Sequence, residues 1–421
     1  MPNIDFPKMI RIRQHFEVPG ITNISQNIIN QVAKLDLEKT VNAGATVAVG
    51  CSSRGIANYS TIVRATIQSL KNAGLKPFIF PAMGSHGAST AEGQVKVLEN
   101  YGISEARMGV AIHSSLDVVK LSETMDGVPV YIDKIASQAD YIVPINRVKS
   151  HTEFEHSIES GLMKMMAIGL GKQKGAAIYH QAIMVHGYPH VILSAARQVL
   201  GTANILCGVG IVENGYGQTA QIGVMGPEDI EETEKKLLAE AKRLAASLPF
   251  EEVDVLIIDE MGKDISGTGF DTKVVGRILM PLVSAEPEKP KIKRIVVCDL
   301  TRHTEGNADG VGIADFVTRR LVDKIDMQAL KINAITGAEP EHARIPMALD
   351  NDRQAIEVAI QSVGMVARED LNIIRIKNTM RLAEVDISLA YKNELLKRDD
   401  LEIIRDEHSL EFDPDGNLPP F

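Results

Sequence analysis

Short runs of β-branched and aliphatic residues recur along the chain, and between them apolar residues fall three and four positions apart. Thr46–Gly50 (TVAVG), Pro77–Gly84 (PFIFPAMG), Tyr141–Asn146 (YIVPIN) and Ile205–Asn214 (ILCGVGIVEN) read as strands. Tyr59–Ala73 has helical spacing and lies between the first two. A charged helix from about Pro227 to Ser247 opens on Pro and acids, and its length suits an interdomain connector. A second set follows: strands Val253–Asp259 and Arg294–Leu300, helices near Gly310–Ile325 and Asp352–Val363, then strands Asn372–Ile376 and Asp386–Tyr391. This alternation predicts an α/β protein with mostly parallel sheets. The expected division is two α/β domains, 1–248 and 249–395, with the tail from about 396 to 421 packing back on the first and an active site in the cleft between them.

Composition narrows the function. A chain of 421 residues exceeds one ordinary core. Its 44% apolar and 24% charged content is that of a soluble globular protein. A net charge of −10 argues against nucleic acid or an anionic membrane as partner. Cys51, Cys207 and Cys298 form no CxxC pair, which suits a reducing compartment and excludes a cysteine-built zinc or iron–sulfur site. The first residues lack an apolar signal-peptide core, and no apolar run approaches the roughly 20 residues of a membrane helix. The expectation is a cytoplasmic protein acting on a small molecule.

Candidate chemistry sits where strands end, because open α/β sheets bind ligands beyond the carboxyl ends of their strands. The strand ending at Gly50 leads into CSSRG and Arg54, whose guanidinium fork suits a carboxylate. The strand ending at Gly84 leads into SHG and His86, and the strand ending at Asn146 leads into RVKSH and His151. Imidazoles there suit general acid–base work. Ile145–His190 holds five histidines, and Lys164 lies in GLMKMMAIGLG with no carboxylate within four residues on either side. A lysine in apolar surroundings loses charge readily and serves as a nucleophile or attachment point. Gly169–Gly175 (GLGKQKG) invites a phosphate-loop reading but matches neither Walker A nor GxGxxG. His180, His186 and His190 fit no familiar zinc spacing, and Pro189 argues against one regular helix through the last two. In the second domain Asp259–Lys273 follows a strand and is rich in glycine, offering Lys263 or Lys273 to a substrate.

As an ordered set these residues resemble the lactate racemase family. Its Asp-x-Thr-Arg-Pro loop is matched by CSSRG with Arg54, and its Gly-Thr-His-Arg loop by GSHG with His86. Its His, Gly-rich stretch and Lys are matched by SHTEFEHSIESGLMK with His151 and Lys164, and His180 follows Lys164 by sixteen residues as in the family. Gly262-Lys263-Asp264-Ile265 resembles its Pro-Lys-Asp-Ile loop. The resemblance implies a nickel-pincer nucleotide attached covalently to Lys164, nickel held also by His180, His86 and His151 as paired acid–base groups, and Arg54 as a substrate clamp. The implied reaction is racemisation or epimerisation of a 2-hydroxy acid by reversible hydride transfer. Three departures stand out: Cys51 replaces the acid before the arginine, the His151–Lys164 interval is three residues longer, and SGTGFDTK replaces the family's Gln-x-x-Lys. The last change points to a 2-hydroxy acid larger or more polar than lactate. A hydroxy-acid lyase on the same scaffold and a non-catalytic nickel-cofactor-binding protein are the alternatives.

Overall fold

A computed structural model describes residues 5–18, 20–53, 55–281 and 283–421. Its strands, in chain order, begin with β1 (Met9–Gln14), β2 (Thr46–Cys51), β3 (Lys76–Pro81), β4 (Val118–Glu123), β5 (Pro129–Asp133) and β6 (Tyr141–Arg147). They continue with β7 (Gly208–Glu213), β8 (Thr219–Met225), β9 (Glu252–Ile258), β10 (Lys291–Val297), β11 (Phe316–Thr318) and β12 (Met347–Leu349). The last are β13 (Ile373–Ile376), β14 (Glu384–Ser388) and β15 (Leu401–His408). The chain divides into two compact units, Val18–Ala245 and Met1–Glu17 with Ala246–Phe421.

In the unit Val18–Ala245 the strands run in the order β3-β2-β6-β7-β8, parallel except for the β7–β8 hairpin. Val47, Val49, Val143, Ile145, Val209 and Ile211 fill one core with helix Tyr59–Asn72, whose Ile62, Val63, Ile67 and Leu70 are buried. That helix and helix Ile230–Leu244 lie close to the ranges the spacing predicts. β4 and β5 form a separate antiparallel hairpin.

In the other unit the order is β12-β11-β10-β9-β13-β14-β1-β15. β9 to β13 are parallel neighbours, and β14, β1 and β15 are antiparallel. This corrects the expected division. Residues 1–17 and the tail belong with the C-terminal half, because β1 inserts between β14 and β15 and the tail strand is bonded to it. The expected helix over 310–325 is a 3-10 turn at Val311–Ile313, the three-residue strand β11 and a short helix at Arg319–Val322. Its apolar residues are spaced like a helix but serve a buried parallel strand, which presents apolar groups to both faces.

Candidate active site

β3, β2 and β6 are adjacent and parallel, so the loops after Pro81, Cys51 and Arg147 leave the same edge of one sheet. Arg54 lies outside the described residues. Cys51 turns into the core beside Tyr59, where burial pushes its thiol up to about 12. It is a packing residue, inert as a thiolate.

The loop after β6 is pinned at its base by reciprocal backbone bonds between Lys149 and Ser160. Inside it the wholly buried Glu159 accepts from the backbone N–H of His151 (2.6 Å) and His156 (3.1 Å) and pairs with Lys242 at 2.6 Å. A carboxylate with two backbone donors and an ammonium is well satisfied. It fixes where His151 stands. The His151 ring stacks on Phe154 with centroids 4.4 Å apart and lies 5.4 Å from Tyr188. Its Nδ1 accepts from the Glu153 N–H at 3.1 Å, and its Nε2 meets Nζ of Lys164. Burial first, then the charge of Lys164, hold this imidazole well below its ordinary value, so it is neutral at pH 7. Burial opposes ionisation of Glu153, yet the charge of Lys164 and a hydrogen bond with Tyr188 hold its carboxyl below the usual range. The charge of His180 reaches both His151 and Glu153.

Lys164 ends a helical turn, Leu162–Lys164, that runs into a π-helical stretch, Met165–Gly169. Such stretches concentrate at functional sites. The turn starts on a buried carboxyl: Glu234, from helix Ile230–Leu244, accepts from the Met163 N–H at 2.9 Å. A Cβ at Gly161 would lie 2.3 Å from Glu234 Oε1, so only glycine leaves room for that carboxyl. Burial pushes Glu234 up to about 7, against the backbone bonds from Met163 and Leu162. Asn146, at the end of β6, donates from Nδ2 to the Gly161 carbonyl at 2.8 Å.

The loop carrying His86 packs on this stretch. Gly84 N–H donates to the Gly169 carbonyl at 3.3 Å, and a Cβ at Gly169 would come within 2.6 Å of the Ala82 carbonyl. Gln94 donates to the carbonyls of Gly84 (3.0 Å) and His86 (3.2 Å) and accepts from Lys172 at 3.0 Å. Lys172, wholly buried, also donates to the Pro81 carbonyl and pairs with the wholly buried Asp133 at 3.0 Å. That answers the phosphate-loop reading, because the ammonium of Lys172 is already enclosed by protein acceptors. The His86 ring itself is exposed.

His180 lies in helix Lys172–His186, half-buried. His186 ends that helix, and Pro189 sits in the first turn of the next, Tyr188–Thr202, so His190 belongs to a different helix and pairs with Asp126 at 2.6 Å. Among the described residues no three His, Cys, Asp or Glu side chains cluster to hold a metal ion by themselves. Lys263 and Lys273 stand in the other unit, where Lys263 pairs with Asp309 at 2.6 Å and Lys273 opens a short helix capped by Asp271. Sequence reasoning missed Glu153, Glu159, Lys172, Tyr188 and Glu234. Their partners lie far off in the chain or on the backbone, although Glu153 and Glu159 flank His151 within the same loop.

Residues 12–190 match the model of the lactate racemase N-terminal domain, a stretch that carries His86, His151, Lys164 and His180. No curated protein matches the chain significantly. Among solved structures, a protein from Thermotoga maritima is similar at 13% identity over 87% of this chain and 99% of that one, with a TM-score of 0.53. The lactate racemase apoprotein from Thermoanaerobacterium thermosaccharolyticum is similar at 14% identity over 94% of this chain and 96% of that one, with a TM-score of 0.50. At such identities the likeness is one of fold. No helix among the described residues is long and apolar enough to cross a membrane. Residues 12–190 are thus similar to a lactate racemase N-terminal domain, and the chain as a whole shares the α/β fold of the lactate racemase apoprotein.

Proposed function

We propose that the chain is a racemase or epimerase of a 2-hydroxy acid. The observation that carries this reading is the half-buried contact of Lys164 with His151, beside a turn on which the His86 loop is packed. The residues fit the nickel-pincer nucleotide implied by the family. Lys164 offers the amine for its attachment, and His180, whose charge is felt at His151, offers one imidazole, nickel being suited by imidazole and soft sulfur donors. With no protein cluster able to hold a metal alone among the described residues, the remaining donors would come from the nucleotide. When bound, that group supplies a hydride acceptor for the substrate Cα.

The chain's own residues then handle protons and orientation. His86 and His151 are the acid–base pair for the substrate hydroxyl, one for each enantiomer, with Arg54 as the carboxylate clamp. Phe154 and Tyr188 keep water from the His151 face. Lys263 and Lys273 are the substrate contacts of the second unit. The substrate is a 2-hydroxy acid larger or more polar than lactate, and the reaction belongs in the cytoplasm. The test is production of the chain alongside enzymes that make the cofactor, with intact mass, nickel content and chiral chromatography of single-enantiomer 2-hydroxy acids. A nucleotide-sized adduct on Lys164 and appearance of the opposite enantiomer are expected, both lost in Lys164→Ala. A chain that stays unmodified beside a loaded control racemase overturns the reading.

A further inference from the structure

Gln94, on helix Ala91–Asn100, is wholly buried, and its amide is engaged at both ends. Nε2 donates to the carbonyls of Gly84 at 3.0 Å and His86 at 3.2 Å, and Oε1 accepts from Nζ of Lys172 at 3.0 Å. A carbonyl only accepts and an ammonium only donates, so the amide has one workable orientation. Turned over, it would set N–H against N–H at Lys172 and oxygen against oxygen at both carbonyls. Lys172 is held just as firmly. The three protons of its ammonium have three acceptors: the Pro81 carbonyl, Gln94 Oε1 and the Asp133 carboxylate at 3.0 Å. Burial draws the pKa of this lysine down, and the charge of Asp133 works against that. The backbone is bent to bring the group there, because Lys172 has a φ of 53°, a left-handed conformation that residues other than glycine adopt at a cost.

We infer that Gln94, oriented by Lys172, is a positioning residue for His86. The His86 backbone is held on both sides, its N–H by the Met83 carbonyl at 3.1 Å and its carbonyl by Gln94, while the residue stays exposed. The loop is also pressed onto the helix that carries Gln94. A Cβ at Gly87 would lie 2.6 Å from the Gln94 nitrogen, and one at Gly93 would lie 2.1 Å from the Gly87 oxygen. Lys172 stands midway in the chain between Lys164 and His180. One amide therefore couples the His86 loop to the stretch that carries both. For the reaction this rests on the racemase reading, in which His86 exchanges the hydroxyl proton. A group misplaced by about 1 Å in such a step costs on the order of 100-fold in rate.

Two variants of the full chain test the inference. Gln94→Glu keeps the length and the bond from Lys172 and removes both donors. Gln94→Met removes the donors without adding a charge, and it serves should the first variant not fold. In the chain without cofactor, hydrogen exchange at the Gly84 and His86 amides should rise roughly tenfold or more, the worth of two lost hydrogen bonds, while residues 149–160 stay unchanged. A rise no larger in residues 82–87 than in residues 149–160 overturns the inference. In the chain carrying cofactor, kcat per loaded enzyme should fall about 10- to 100-fold with KM held within about twofold. An unchanged kcat beside a loosened loop overturns the positioning role. A loss confined to KM overturns it too, because it assigns Gln94 to substrate binding. A loaded, unaltered chain without turnover overturns the racemase reading alone, and the exchange result then decides by itself whether Gln94 holds the loop.

Discussion

In the unit formed by residues 1–17 and 246–421, buried charge sits in arginine–aspartate forks that satisfy each other. Arg375 grips Asp259 through two contacts of 2.8 Å, and Arg11 grips Asp386 through contacts of 2.8 and 2.9 Å. These forks tie a strand to its neighbour or to the residue just beyond it, and Arg375 also donates to the Pro419 carbonyl of the tail at 2.6 Å. In residues 18–245 the buried charge around the candidate site holds the backbone of its loops. Glu159 and Glu234 accept from the N–H groups that place His151 and Lys164, and Lys172 reaches a carbonyl at the end of β3. Desolvating a carboxyl or ammonium that has one single-point ion pair and otherwise backbone partners costs more than burying a bidentate fork. A fold tolerates that cost where the gain is a fixed loop, and in residues 18–245 the loops so fixed are those at this sheet edge.

The sharpest way to break the comparison is Lys172→Met. It keeps the volume and leaves Asp133 buried with its partner gone, which costs about 3–5 kcal/mol. Urea unfolding should show that loss, and Asp133→Asn in the same chain should recover most of it. Hydrogen exchange should also rise in residues 82–87, the loop braced through Gln94. Arg375→Met should lower stability while leaving exchange in that loop unchanged. Equal loosening of the loop by both variants would erase the distinction between braces and forks.

Glu234 gives the next largest effect, and it depends on pH. Its folded-state value of about 7 lies above that of an unfolded carboxyl, so the folded chain binds this proton more tightly. The stabilisation is therefore fully present below about pH 4 and is lost as pH rises through 7, amounting to about 3 kcal/mol in all. Glu234→Gln keeps an acceptor for the Met163 N–H and cannot titrate. Unfolding free energies at pH 5 and pH 8 should fall for the unaltered chain by most of that amount and stay nearly level for the variant. A parallel fall in both would place the titration elsewhere.

How far the sequence reveals this arrangement depends on how local each signal is. The strands ending at Cys51, Pro81 and Arg147 are legible because β-branched runs stop at polar loops, and Lys164 is legible because nothing acidic lies near it in the chain. Lys172 is not, since its partners Pro81, Gln94 and Asp133 lie between 39 and 91 residues away in the chain. Phe316–Thr318 is too short to show a strand period and reads as part of a helix. The tail strand Leu401–His408 carries mostly exposed, charged residues at a sheet edge, a composition that blunts edges and hides the strand from a hydrophobic reading. Its partner β1 alternates apolar and charged residues, and only the ladder between them shows that both belong to the C-terminal half.

The smallest effect separates burial from geometry within one pair of strands. Arg11 and Arg13 lie two residues apart on β1, and each faces a carboxylate on β14. Arg11 meets Asp386, which is buried, whereas Arg13 and Glu384 are both more than 40% exposed. Solvent screens the second pair and supplies substitute hydrogen bonds, so Arg13→Ala should cost about 0.5 kcal/mol and lose even that in high salt. Arg11→Ala leaves a buried carboxylate and removes a guanidinium lying 4.2 Å from the Phe421 ring, so it should cost several times more and respond little to salt. Urea unfolding of the two variants in low and high salt makes the measurement. If the two costs came out alike, the geometry of the fork rather than its burial would set its worth, and the contrast between the two units would have to be rebuilt on that basis.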